Sequence, residues 1–201
     1  NGTDGTSGLF YPKRSGRIAN GARVYGANGC YLCHTQVVRP TYAGNDLYRQ
    51  DWGGLAQDPE RGDTRRETNA DDFAGEAIAH IGVARMGPDL ANLGRRLEAA
   101  VAAKGRGDDP AALLYAHLYN PRRTPALRKS ACPSHRYLFI QRKIKGQPAS
   151  DALSVGGTAT TEWLPSADAK ALVSYLLSMK KDQAVPAALH FGPATGKAAA
   201  P

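Results

Sequence analysis

The chain has 201 residues, room for one domain with a real core, and its 42% hydrophobic and 22% charged content is ordinary for a soluble globular protein. Lys+Arg 26 against Asp+Glu 18 gives a net charge of +8, but the basic residues read as scattered among Gly and Pro. No nucleic-acid module accompanies them, which argues against a nucleic-acid partner, and no apolar run is long enough to span a bilayer.

Residues 1–16 read as a flexible lead-in. Ile18, Ala22, Val24 and Tyr25 have helical spacing between Arg17 and Asn28, with Gly29 as the stop. Residues 35–70 show little periodicity and many turn signals, so an irregular arm is expected over about 41–70. Asp71 and Asp72 are expected to open a short helix with Phe73, Ala77, Ile78 and Ile81 inward. A further turn starts between Pro88 and Arg96 and runs on through Leu97 and Val101 to Lys104 and a stop at Gly105.

Asp109 as cap and Pro110 at the first position announce a helix through Tyr119, ended by Asn120 and Pro121. Tyr137–Ile144 fits either a strand or a helix. Ser166 caps the clearest helix, expected through Lys181, with Ala169, Leu172, Val173, Leu176 and Leu177 on one face. Residues 17–182 thus form the domain, and 183–201 read as a tail, disordered beyond Phe191.

Cys30-Tyr31-Leu32-Cys33-His34 is C-x-x-C-H, the attachment signature of c-type haem. Two cysteines three residues apart each form a thioether to one porphyrin, and His34 is then held beneath the iron as its axial ligand. Zinc would need a second ligand pair, and a redox dithiol would need a βαβ setting; neither is present. The absence of internal repeats limits the expectation to one covalent haem c. Thioether attachment occurs outside the cytoplasm, so a periplasmic domain is expected.

G-A-R-V-Y-G-A-N-G-C-Y-L-C-H-T-Q-V-V-R-P at 21–40 resembles the haem segment of the monohaem subunit II of cbb-type cytochrome c oxidases. So do D-W-G at 51–53, M-G-P-D-L-A-N-L-G-R-R at 86–96, Y-N-P-R at 119–122 and C-P-S-H-R-Y-L-F at 132–139. The resemblance implies a mainly α, class I-like cytochrome c fold, with short helices wrapped around one haem. It also implies a membrane anchor that lay before Asn1, and redox partners: a donor cytochrome and an oxidase or related membrane complex. Arg39 and Arg122 fall at basic positions near the haem propionates. Pro40, Pro88, Leu90 and Asn120 belong to the haem surroundings, with Pro88-Asp89-Leu90 as a wall-building turn.

The family's distal ligand is the Met of an M-P motif, and here that place reads Ser130-Ala131-Cys132-Pro133. Three readings stay open. Cys132 ligates iron as a thiolate, its pKa depressed by Arg128, Lys129 and Arg136; or it is an inert buried thiol, with Met86, His135 or water on the iron; or it forms an intermolecular disulfide. Met179, His80, His117 and His190 read as structural. A thiolate ligand would lower the reduction potential relative to a thioether. The function expected is electron transfer, without enzymatic activity of its own; the alternatives are a redox or gas sensor with a displaceable Cys132 and a sulfur-compound redox protein.

Overall fold

The computed structural model describes residues 14–50, 52–103, 109–153 and 157–184. Helix α1 (Gly16–Ala27) starts on Ser15, whose hydroxyl accepts the Ile18 N–H and so satisfies one of the free donors of the first turn. Gly21, Val24 and Tyr25 are buried, and Ile18 and Ala22 pack at the core's margin, the face the spacing predicts. Asn28 closes the helix by donating from its side-chain amide to the Val24 carbonyl at 2.7 Å. Gly29 follows with a left-handed φ of 66°, and the chain passes straight into a 3-10 turn at Cys30–Leu32.

Helix α2 (Leu93–Ala103), helix α3 (Pro110–Tyr119) and helix α4 (Ala167–Leu177) complete the helical set. Asp109 accepts the Ala111 N–H and Ser166 the Ala169 N–H, so both expected caps are in place. Helix α4 is the hub, because α1, α2 and α3 all pack on it. Its Leu172 and Val173 are buried with Tyr175 and Leu176 in a cluster that takes in Leu114, Leu118 and Tyr119 of α3. Burial of each such aliphatic side chain contributes roughly 1.5–3 kcal/mol. Helices α1 and α4 cross at Gly21, where a Cβ would stand 2.1 Å from the Ala171 carbonyl oxygen.

Strands β1 (Phe139–Lys143) and β2 (Thr161–Pro165) pair antiparallel, with Phe139 opposite Pro165 and Lys143 opposite Thr161. This corrects the expectation of a mainly α, class I-like cytochrome c fold. Helical turns of both kinds take in 39% of the described residues and extended pairing 7%, a small mixed α/β arrangement. The ambiguous Tyr137–Ile144 segment is strand over Phe139–Lys143, following a 3-10 turn at Arg136–Leu138, and Phe139 and Trp163 both meet Tyr119 at ring separations of 5.5 and 5.3 Å. That clamp needs both segments extended and side by side.

Two further expectations change. Residues 71–81 form no α-helix, only a 3-10 turn at Ala70–Phe73 capped by Asn69, and Ile78 and Ile81 are 66% and 52% exposed. Here Glu76 is drawn inward to Arg14 at 2.7 Å, so the apolar face is turned out. Helix α4 ends at Leu177 rather than Lys181, because the next residues pair with the start of α2: Gly94 N–H donates to Met179 O and Lys181 N–H to Ala91 O.

The arm over 41–70 is irregular, apart from a 3-10 turn at Asp46–Tyr48, and is held by charge: Arg61 and Thr64 meet Asp182, and Arg66 meets Asp72. The stop at Lys104 and Gly105, the lead-in before Arg14, and the tail with His190 and Phe191 lie outside the described residues.

Candidate haem-attachment site

The 3-10 turn at Cys30–Leu32 puts Cys30 against the core and both motif cysteines at half-buried positions, as free thiols. His34 follows with its own N–H donating to the Cys30 carbonyl at 3.1 Å. Its ring Nδ1 lies 2.8 Å from the Pro88 carbonyl oxygen. A carbonyl only accepts, so Nδ1 carries the proton and Nε2 keeps its lone pair for a ligand. The backbone of Gly87 lies flat on the imidazole: a Cβ there would come within 2.2 Å of His34 Cε1.

The segment 85–91 is fastened along 33–37. Gly87 N–H donates to Cys33 O at 2.9 Å and Leu90 N–H to Thr35 O at 2.8 Å. Asp89, fully buried, accepts from the Thr35 hydroxyl at 2.5 Å and the Val37 N–H at 2.9 Å. Burial raises its pKa against those hydrogen bonds. Pro88 thus stands behind His34 through its carbonyl, and Leu90 belongs to the main core.

Arg39 has a protein partner rather than an open guanidinium. Its Nη2 donates to Asp46 Oδ1 at 2.9 Å and its backbone N–H to Oδ2 at 2.8 Å. Arg85 holds the same carboxylate at 2.8 Å. Burial alone would raise the Asp46 pKa, but the two arginines overcome it and hold the carboxyl well below its usual range. Arg85 ties the arm to the 33–37 strip, donating also to Thr35 Oγ1 at 2.8 Å and to the Val37 carbonyl at 2.6 Å, and Pro40 begins the turn in between by accepting from the Ala43 N–H at 2.9 Å.

The loop after α3 faces the motif from another direction. Arg122 Nη1 donates to the carbonyls of Ser130 at 3.0 Å and Cys132 at 2.7 Å, and its Nη2 to Ser134 Oγ at 3.1 Å. Ser134 Oγ in turn lies 3.5 Å from Asn120 Oδ1. Arg122 is therefore a clamp on the loop that carries Cys132. Burial raises the Cys132 pKa, with the Arg122 charge opposing it and Cys33 adding to it. That differs from the expected depression by Arg128, Lys129 and Arg136: the cation that acts on the thiol is Arg122, and burial outweighs it.

Cys132 and the motif sense each other. The Cys30 thiol is pushed up to about 11 by burial and then by the charge of Cys132. His135 is 7% exposed, and its Nδ1 is buried without a hydrogen-bond partner. His117, on α3, has its pKa lowered by burial and then by the charges of His34 and His135. Three elements thus converge: the motif turn, the His117 face of α3 and the 130–135 loop.

Sequence reasoning placed His117 with the structural histidines; its electrostatic coupling to His34 and His135 was not legible there. His80 is structural, lying against Tyr25 and Tyr31 at ring separations of 5.3 and 6.1 Å. Met86 is 71% exposed, with its sulfur 3.8 Å from Cys33 Sγ. It precedes the glycine that packs on His34. Met179 is fully buried in the main core.

Among the described residues no group of three or more His, Cys, Asp or Glu side chains is arranged to hold a bare metal ion, and no helix is long and apolar enough to cross a membrane. No family model matches the chain, and no curated protein matches it.

Proposed function

We propose that this chain is an electron-transfer domain carrying one covalent haem c, of the kind represented by the monohaem subunit of cbb-type oxidases. The observation that carries the reading is the state of His34. Its Nδ1 is fixed on the Pro88 carbonyl and its Nε2 is free, beside two reduced, half-buried thiols at the attachment spacing. An outer hydrogen bond of this kind sets the tautomer and orients an axial imidazole.

The donor chemistry fits the group. Cys30 and Cys33 would hold it through thioethers and His34 through its ring nitrogen, with Cys132, His135 or Met86 as the candidates for a second iron ligand. When bound, haem supplies a ferric–ferrous couple that takes or gives one electron. The chain's own residues do the rest. Gly87, Pro88 and Asp89 hold the imidazole, Arg122 holds the Cys132 loop, and the α1–α3–α4 core keeps water from one side. In this reading the chain acts as a carrier between redox proteins, in the periplasm.

The test is expression in a periplasm that has haem-attachment machinery, followed by denaturation. Haem that stays with the denatured chain, and is lost in Cys30→Ala/Cys33→Ala, supports the reading; a chain that never retains haem overturns it. Carbon monoxide binding by the ferrous protein then separates a carrier from a sensor, because a carrier stays closed to it.

A further inference from the structure

The net charge of the molecule is concentrated in one part of it. Residues 110–150 contain eight Lys and Arg and no Asp or Glu, which equals the whole +8 of the chain. Elsewhere Lys and Arg exactly balance Asp and Glu, so the apparent scatter of basic residues conceals a strong asymmetry. Five of the eight, Arg122, Arg123, Arg128, Lys129 and Arg136, fall within fifteen residues around Cys132, and all five are exposed.

The fold gathers them on one lip. Arg122 and Arg123 sit on the 3-10 turn Pro121–Arg123, which is bonded through Arg122 to Ser130, Cys132 and Ser134. Arg128 and Lys129 lie between those contacts, and Arg136 stacks over Tyr119, the last residue of α3, at 5.2 Å. Seven arginines elsewhere, Arg14, Arg39, Arg61, Arg65, Arg66, Arg85 and Arg95, each meet a carboxylate. Among the described residues none of the five lip cations does.

We propose that this lip is a docking surface for an acidic face of a partner protein. Like charges held together without counterions repel, and that cost is offset only when an opposite field arrives. The lip is preorganised, since Arg122 is fixed by carbonyls and Arg136 by a ring, so little side-chain freedom remains to be lost on docking. The cations stand on short turns and not on an amphipathic helix. Among the described residues 121–138 the exposed large apolar side chains are Leu127 and Tyr137, 37% and 66% exposed, too little to enter a lipid bilayer. The surface depends on these charges alone and stands whether or not haem is bound.

Titration calorimetry on the full chain, with poly-L-glutamate as the acidic probe, tests this. Phosphatidylglycerol vesicles and an oligothymidylate serve as rival polyanions. Binding of poly-L-glutamate should weaken about tenfold between low and physiological salt. The triple variant Arg123→Gln/Arg128→Gln/Lys129→Gln should weaken it by about tenfold at low salt, and a control that loses the same charge elsewhere, Arg17→Gln/Lys143→Gln/Lys145→Gln, by less than about twofold. Lys129→Glu alone gives the same direction with the least disturbance to the fold. Equal losses in the triple variant and the control overturn the proposal, and so does tighter wild-type binding to the vesicles or the oligonucleotide than to poly-L-glutamate.

Discussion

The guanidinium of Arg122 donates to the carbonyl of Cys132 at 2.7 Å and so holds the thiol's backbone from a turn ten residues earlier in the chain. A planar fork that reaches two carbonyls and a hydroxyl at once cannot be replaced by a point charge. Arg122→Lys should therefore behave more like Arg122→Gln than like wild type. Amide exchange at Cys132 and Ser134 should quicken in both variants, and Cys132 should react faster with a thiol reagent at fixed pH. The cost to global stability should stay near 1 kcal/mol or below, because the arginine is exposed. Unchanged exchange at Cys132 in Arg122→Gln would remove the clamp.

Gly87 offers a sharper test of the His34 wall. A methyl group there would stand 2.2 Å from the imidazole, and the Gly87 N–H is itself bonded to Cys33 at 2.9 Å, so the backbone has no room to retreat. Gly87→Ala should displace the ring and break its bond to Pro88. The expected loss is about 1–3 kcal/mol in urea unfolding. Nitrogen NMR of His34 should show a mixture of tautomers where wild type shows the proton on Nδ1 alone. A single, unchanged tautomer would mean that Gly87 does not position the ring.

How much of this was legible beforehand differs from element to element. Helices α3 and α4 could be read because their caps are local: Asp109 and Ser166 each act within three residues of the helix they start. Helix α1 is legible from its apolar spacing, while its cap, Ser15, falls within the stretch that reads as lead-in. The pairing of β1 with β2 could not, since it joins residues about twenty apart through rings that meet only after folding. Residues 71–81 misled for a related reason. Their apolar spacing is helical, yet the Glu76 carboxylate is drawn inward to Arg14 while Ile78 and Ile81 are left exposed. At the site, Cys30, Cys33 and His34 were visible from spacing, while Arg39 and Arg122 were marked as important for another reason. Their partners, Asp46 and the 130–134 carbonyls, follow from three-dimensional placement that spacing does not encode.

The α1–α4 crossing sets two effects of one methyl group against each other. Gly21→Ala raises helix propensity by about 1 kcal/mol. The same methyl would meet the Ala171 carbonyl oxygen at 2.1 Å and Tyr175 Cβ at 2.6 Å, neither of them the far end of a flexible chain. Pushing the helices apart costs about 1–3 kcal/mol or more, so packing should win and the variant should be less stable. Gly16→Ala is the matched control, because nothing lies within 4 Å of a Cβ there, and it should be neutral or stabilising. Equal midpoints for Gly21→Ala and wild type in urea would show that the helices separate freely.

Lys181 makes stability depend on pH in a direction opposite to that of a paired lysine. Its side chain is 4% exposed, with the ammonium 3.3 Å above the Phe73 ring and 3.6 Å from Glu76, and burial lowers its pKa to about 8 despite that carboxylate. The unfolded chain, with the ordinary lysine value of 10.5, binds more protons than the folded one between these limits. Stability should therefore rise with pH above about 8, by at most about 1.4 kcal/mol per unit. The rise should cease near pH 10, where Tyr25 and Tyr175 begin to ionise in the unfolded chain while burial keeps them protonated in the folded one. Urea unfolding at stepped pH measures the slope, and Lys181→Met should flatten it between pH 8 and 10. A slope of the same size in Lys181→Met would assign the effect to another group.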